Sequence, residues 1–238
     1  MTKDEGTPGP TVRPPGSRNV LLERPEAAPE PNSKVNLGAF DLILLLLPMI
    51  LWPLSFILLR AYFIYSLAAS VSLLAIGSIV LWRPDIRWSR GNFPLWPLSI
   101  GLLGAILLYL LFVGGNVATT AVGLGGDVQN VYGEIYGNQS GIVLVALLAV
   151  IGVGEETYWR GGLQAVVEKW SPAFRKVPWV VSTAYYTGVH LSTLNPVLVG
   201  AAFVVGLVTS LVADRAGVGA SILTHVIWIE AIVVFFPV

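Results

Sequence analysis

The sequence predicts an all-α fold: a polytopic membrane helix bundle with about seven transmembrane helices. Of its 238 residues, 55% are hydrophobic and 12% are charged, and average soluble domains carry roughly 25% charged residues. Long apolar runs repeat along the chain, each close to the roughly 20 residues that a helix needs to cross a bilayer. The predicted segments are 39–59, 61–82, 95–115, 140–163, 177–191, 196–213 and 218–237.

The first 36 residues differ sharply from the rest. Residues 1–36 are rich in proline and in charges of both signs and contain few apolar side chains. Such a composition cannot bury enough surface to fold. We therefore predict a disordered Pro-rich tail at 1–36, solvated rather than docked, followed by a membrane helix bundle at 37–238.

Two of the apolar segments carry local signals of irregularity. Pro48 and Pro53 are expected to kink the first helix, because proline lacks a backbone N–H and clashes with the preceding turn. The fifth segment is short and ends at Asn195 and Pro196. About 15 residues of helix rise only about 22 Å, so His190 is expected partway through the bilayer.

The charges of the loops predict the orientation. Loops 83–94 and 164–176 carry an excess of basic residues, whereas loop 116–139 has Asp127 and Glu134 and no basic residue. Loops rich in Lys and Arg stay in the cytoplasm. The chain is therefore predicted to be an integral membrane protein with a cytoplasmic N-terminus, and the plasma membrane is the expected location.

Several classes of function lack their signatures. Lys plus Arg and Asp plus Glu both number 14, so there is no basic footprint for nucleic acid. The absence of cysteine excludes disulfides, thiolate metal sites and cysteine nucleophiles. The sequence contains no Walker A, GxSxG or HExxH motif.

A cluster of ionisable residues lies inside the hydrophobic half, at 154–160. Charges at membrane depth cost roughly 2.5–3.5 kcal/mol each and are usually functional. Glu156 and Arg160 are four residues apart, so they are expected to pair on one helix face. Glu155 points about 100° away and lacks this partner, which makes it a candidate general base. The alternative is a structural charge network that holds helices together.

The only two histidines, His190 and His225, lie in later apolar segments. Counting helical rise puts Glu155 about 8 Å and His225 about 10 Å from the same membrane face, so the two can share a layer. These groups could hold a water, with Glu155 or His190 abstracting its proton and the other histidine stabilising an oxyanion. They could instead bind a metal, since His₂Glu is a known zinc set.

These motifs resemble those of one protein family. The run from Glu155 to Arg160 matches the EExxxR signature of the CPBP family, the CAAX-protease and bacteriocin-processing membrane proteins. The run from Tyr186 to His190 resembles the family's FxxxH motif, with Tyr in place of Phe. His225 resembles the histidine of its last motif, HxxxN or HxxxD. The order and spacing also fit, and the resemblance covers a protease-like core at about 140–230.

The resemblance implies an intramembrane endopeptidase that cleaves a lipidated or membrane-associated protein or peptide, with membrane lipids as its surroundings. It implies that Glu155 activates water together with His190 and that His225 stabilises the oxyanion. It implies supporting roles for Glu156, Arg160 and Tyr186. A mechanism without a cofactor and one with a divalent metal such as zinc, held by the same glutamate and two histidines, both stay open.

One residue departs from the family pattern. Ile229 stands where the family has Asn or Asp, and one oxyanion donor is worth about 2.7–4 kcal/mol in other hydrolases. The departure predicts weakened activity and favours, as an alternative, a non-catalytic membrane scaffold or peptide-binding protein of the same fold. The intact Glu and His set argues against that alternative. A proton-coupled transporter is disfavoured because no internal repeat is visible.

Overall fold

The computed structural model describes residues 38–82, 89–90, 95–137, 139–170 and 173–238, and within these ranges it contains helices and no strand. The predicted tail and most of loop 83–94 lie outside the described residues. Six described helices are long and apolar enough to cross a membrane: α1 (Ala39–Leu58), α2 (Arg60–Trp82), α3 (Trp96–Ala121), α5 (Gly141–Lys169), α7 (Pro196–Ala216) and α8 (Val218–Phe235). Two shorter helices are α4 (Gly125–Tyr136) and α6 (Pro178–His190).

The predicted fold class is confirmed. The six long helices and the short α6 correspond to the seven predicted segments, and α6 is the short fifth one. The type of helix changes at both prolines of α1. A new helical stretch begins at Pro48, and the backbone after Pro53 continues as a π-helix over Leu54–Leu58.

Helix α4 lies inside the segment 116–139 that the sequence analysis treated as a loop. The third membrane helix is also longer than predicted, because it continues to Ala121. The hydroxyls of Tyr132 and Tyr136 donate to the carbonyls of Ile232 and Val233 at 2.9 and 2.7 Å. These carbonyls lie in the π-helical end of α8. Tertiary hydrogen bonds of this kind, which hydropathy does not report, tie α4 to the bundle.

Close helix contacts place α5 at the centre of the site. A Cβ atom added to Gly154 would lie 2.8 Å from Val71 of α2, and one added to Gly152 would lie 2.9 Å from Val226 of α8. Only glycine therefore allows the backbone of α5 to approach both neighbours this closely. The π-helical stretch Thr157–Leu163 follows immediately, and π segments in helices are frequent at functional sites.

Candidate functional site

The site lies on the wall of a cavity of about 480 Å³ that is lined mostly by apolar side chains. Four ionisable or polar residues of the predicted set line it: Glu155, Tyr186, His190 and His225. Helices α5, α6 and α8 contribute them. The structure therefore brings together, around one cavity, residues that lie in three separate segments of the sequence.

Glu155 is held by groups from two other helices. The carboxyl is buried, with 3% of the residue exposed. The hydroxyl of Tyr186 donates to its Oε2 atom at 2.7 Å. The Nε2 atom of His225 lies 3.9 Å from the same oxygen. One carboxylate oxygen is thus the meeting point of α5, α6 and α8, as expected if Glu155 and His225 share a layer.

Glu156 is fully buried and has three partners. Its Oε2 atom lies 3.3 Å from Nε of Arg160, so the predicted pairing is confirmed. Its Oε1 atom accepts from Nδ1 of His225 at 2.8 Å, and Ser221 donates its hydroxyl to the same carboxylate. Because buried charges are tolerated only when they are paired and hydrogen-bonded, this cluster also locks α5 against α8.

Arg160 extends the network to two more helices. Its guanidinium donates to the carbonyl of Gly206 in α7 at 3.2 Å. It also lies over the ring of Tyr186, 4.8 Å from the ring centre. A cation over an aromatic face is favourable, more so away from water. The guanidinium therefore fixes the position of the ring whose hydroxyl contacts Glu155.

His190 has both ring nitrogens occupied. Its Nδ1 atom is 2.7 Å from the carbonyl of Tyr186, and because a carbonyl only accepts, Nδ1 carries the proton. Its Nε2 atom accepts from the indole N–H of Trp52 at 3.2 Å. His190 therefore lines the cavity, but the lone pair of its Nε2 atom accepts a hydrogen bond from Trp52 of α1. The Nε2 atom of His225, by contrast, faces Glu155.

The predicted set of site residues lacks Trp52 and Ser221. Ser221 lies one helical turn before His225, so its position on the same face of α8 is a usable signal. No comparable signal points to Trp52, because it comes from α1 and meets His190 only through the packing of helices distant in the chain.

The arrangement of the side chains does not form a metal site. Within the part of the chain that the structure describes, no group of three or more His, Cys, Asp or Glu residues is placed to hold a metal ion. The hydrogen bonds of His190 contribute to this, since its Nε2 is taken by Trp52 and its Nδ1 by the carbonyl of Tyr186. The predicted set of Glu155, His190 and His225 does not fit a metal ion in this arrangement.

The fold and the site define a polytopic helical membrane protein with acid–base residues buried beside an apolar cavity. Residues 138–229 match the family model described as Type II CAAX prenyl endopeptidase Rce1-like. The match contains the whole buried cluster on α5, α6 and α8, and it confirms the family resemblance seen in the sequence motifs. No curated protein and no solved structure matches the chain significantly. The match and the bundle of membrane helices together support an intramembrane protease in general.

Proposed function

We propose that this protein is an endopeptidase that hydrolyses a peptide bond of a lipidated or membrane-associated protein or peptide. The observation that carries the proposal is the position of Glu155, buried on the wall of an apolar cavity with a histidine nitrogen 3.9 Å away. The family match supports the reaction type. Both observations fit an active site that cleaves a substrate polypeptide bound between membrane helices.

In the proposed reaction, Glu155 takes a proton from a water molecule, and the water oxygen bonds to the carbonyl carbon of the substrate. The carbonyl electron pair moves to its oxygen, which becomes the oxyanion. His225 stabilises this oxyanion through an Nε2–H group, which requires a proton on both ring nitrogens because Nδ1 already donates to Glu156. The intermediate collapses, the C–N bond breaks, and Glu155 returns the proton to the leaving amine. Glu156 holds Nδ1 of His225 and so keeps the ring aimed at Glu155.

His190 is proposed to act with Glu155 on the water. In the resting arrangement its Nε2 atom is bound to Trp52. His190 can accept a proton or bind the water only after this hydrogen bond opens. A shift of His190 away from Trp52 on substrate binding would therefore release His190 for the reaction.

The cavity supports an apolar substrate. Its walls come mainly from aliphatic and aromatic side chains of several helices, and burying apolar surface contributes about 25 cal/mol per Å². A lipid-modified segment or a hydrophobic peptide would gain most from this environment. Membrane lipids are proposed as the surroundings from which such a substrate enters.

The test is cleavage of prenylated and unprenylated peptides by the purified protein in lipid, with and without a chelator. Glu155→Gln keeps the shape of the side chain and is expected to abolish cleavage, since acid–base groups contribute about 10²–10⁴-fold. Glu168→Gln removes a partly exposed carboxylate near the end of α5 and is the matched control. Wild-type cleavage by Glu155→Gln would overturn the mechanism.

The scaffold alternative has one observation in its favour, because Ile229 lines the cavity without offering a polar group. A scaffold would bind the peptides without cutting them. Binding of a labelled peptide by both wild type and Glu155→Gln, with no cleavage by either, would support it. Cleavage that depends on Glu155 would exclude it.

A further inference from the structure

Two groups converge on one oxygen atom in the site. The hydroxyl of Tyr186 and the Nε2 atom of His225 lie 2.7 and 3.9 Å from Oε2 of Glu155. All three residues line the cavity. Oxyanion stabilisation requires a preorganised hydrogen-bond donor beside a negatively charged oxygen, in a site with little water. In the resting protein, an oxygen of Glu155 itself occupies that position.

The ring of Tyr186 is fixed, while the direction of its hydroxyl proton is not. The ring packs edge-on against Trp159 and His190, with ring centres 5.3 and 4.6 Å away, and Arg160 covers its face. A phenol can rotate its O–H bond and so change its acceptor without moving the ring. The hydroxyl can therefore follow a negative charge that moves a short distance within the site.

Helix α8 offers no donor at the neighbouring position. Ile229 lies one turn after His225, on the same side of the helix, and it lines the cavity. Its side chain has no polar atom. The O–H group that reaches Glu155 comes instead from α6.

We propose that Tyr186 is a further catalytic residue, whose hydroxyl holds Glu155 in the resting site and donates to the oxyanion during the reaction. The inference rests on the proposed endopeptidase function. As Glu155 takes the proton from water, the negative charge leaves its carboxylate and appears on the former carbonyl oxygen of the substrate. The hydroxyl of Tyr186 keeps its own proton throughout and exchanges one anionic acceptor for the other.

The experiment measures kcat and KM of Tyr186→Phe in lipid. This variant keeps the ring and its contacts and removes only the hydroxyl. We expect kcat to fall about 100-fold, as for loss of one oxyanion donor, with KM within about twofold. Tyr185→Phe is the matched control, because its hydroxyl donates to the carbonyl of Leu45 and it does not line the cavity. Its kcat is expected to equal that of wild type.

A second variant separates a catalytic hydroxyl from a structural one. In the Tyr186→Phe background, Ile229→Asn places an amide donor one turn from His225. We expect it to restore kcat at least tenfold, which is part of the roughly 10²–10³-fold that one donor supplies. Ile229→Leu in the same background adds no donor and is expected to restore nothing. Equal recovery by Leu and Asn would contradict the proposal.

The outcomes distinguish this inference from the function on which it rests. Loss of cleavage in Glu155→Gln together with wild-type kcat in Tyr186→Phe would overturn the role of Tyr186 and leave the endopeptidase intact. An equal fall of kcat in Tyr185→Phe and Tyr186→Phe would also overturn it. No cleavage by wild type, with peptide binding retained, would overturn both.

Discussion

The Nε2 atom of His225 lies 3.9 Å from Oε2 of Glu155, while Nδ1 of the same ring contacts Glu156 at 2.8 Å. Neighbouring glutamates on one helix point about 100° apart, yet both reach one imidazole because α8 packs closely on α5 at this level. The ring therefore joins a structural charge cluster on one side to the cavity on the other. A substitution on either side of the ring is therefore expected to change the rate of the reaction.

The buried ion pair predicts a large loss of stability on breaking it. Arg160→Gln leaves the carboxylate of Glu156 buried without its cation, and such changes cost about 3–5 kcal/mol. Arg60→Gln is the control, because Arg60 pairs with Glu134 with 63% of its side chain exposed and exposed pairs contribute about 0–1 kcal/mol. Unfolding of both variants in detergent measures the difference. Equal losses would contradict a structural role for the buried pair.

The close approach of α5 and α8 predicts that Gly152→Ala impairs both stability and cleavage. The new Cβ would lie 2.9 Å from Val226, and overpacking of this kind costs about 1–3 kcal/mol. Moving α8 outward would also take His225 away from Glu155. Gly114→Ala in α3 meets nothing within 4 Å and is expected to be neutral or slightly stabilising. Thermal unfolding and kcat/KM, measured on both variants, test the expectation.

The hydrogen bond between Trp52 and His190 predicts the behaviour of Trp52→Phe. Phenylalanine removes the indole N–H and frees Nε2 of His190, so kcat is expected to be at least that of wild type. The smaller ring is expected to lower the melting temperature. Trp96→Phe, which alters an exposed indole at the start of α3, is the control. A kcat that falls more than tenfold in Trp52→Phe alone would show that Trp52 holds His190 in its active position.

The proposed orientation predicts which positions face the cell exterior. The chain has no cysteine, so a single introduced thiol reports its own location. Gln129→Cys, on the exposed side of α4, is expected to react with a membrane-impermeant reagent on intact cells. Lys176→Cys, in the exposed turn before α6, is expected to react only after permeabilisation. The reverse pattern would invert the orientation.

Much of the membrane architecture could be predicted from the sequence, since it depends on local properties of the chain. Apolar runs of sufficient length indicate the spans, proline interrupts α1, and a Glu–Arg spacing of four residues pairs Glu156 with Arg160 on one helix. Helix α4 was missed, because its length is short and its tyrosines are held by carbonyls of α8 rather than by an apolar face.

The sequence by itself determined the membrane helices and the pairing of Glu156 with Arg160. It also determined which ionisable residues match the motifs of the family. Only the tertiary structure decided which atoms of that set meet. It placed the hydroxyl of Tyr186 on Glu155 and the indole of Trp52 on His190. Helical periodicity shows which side chains share a face, but the helix that lies opposite is chosen by packing between segments far apart in the chain.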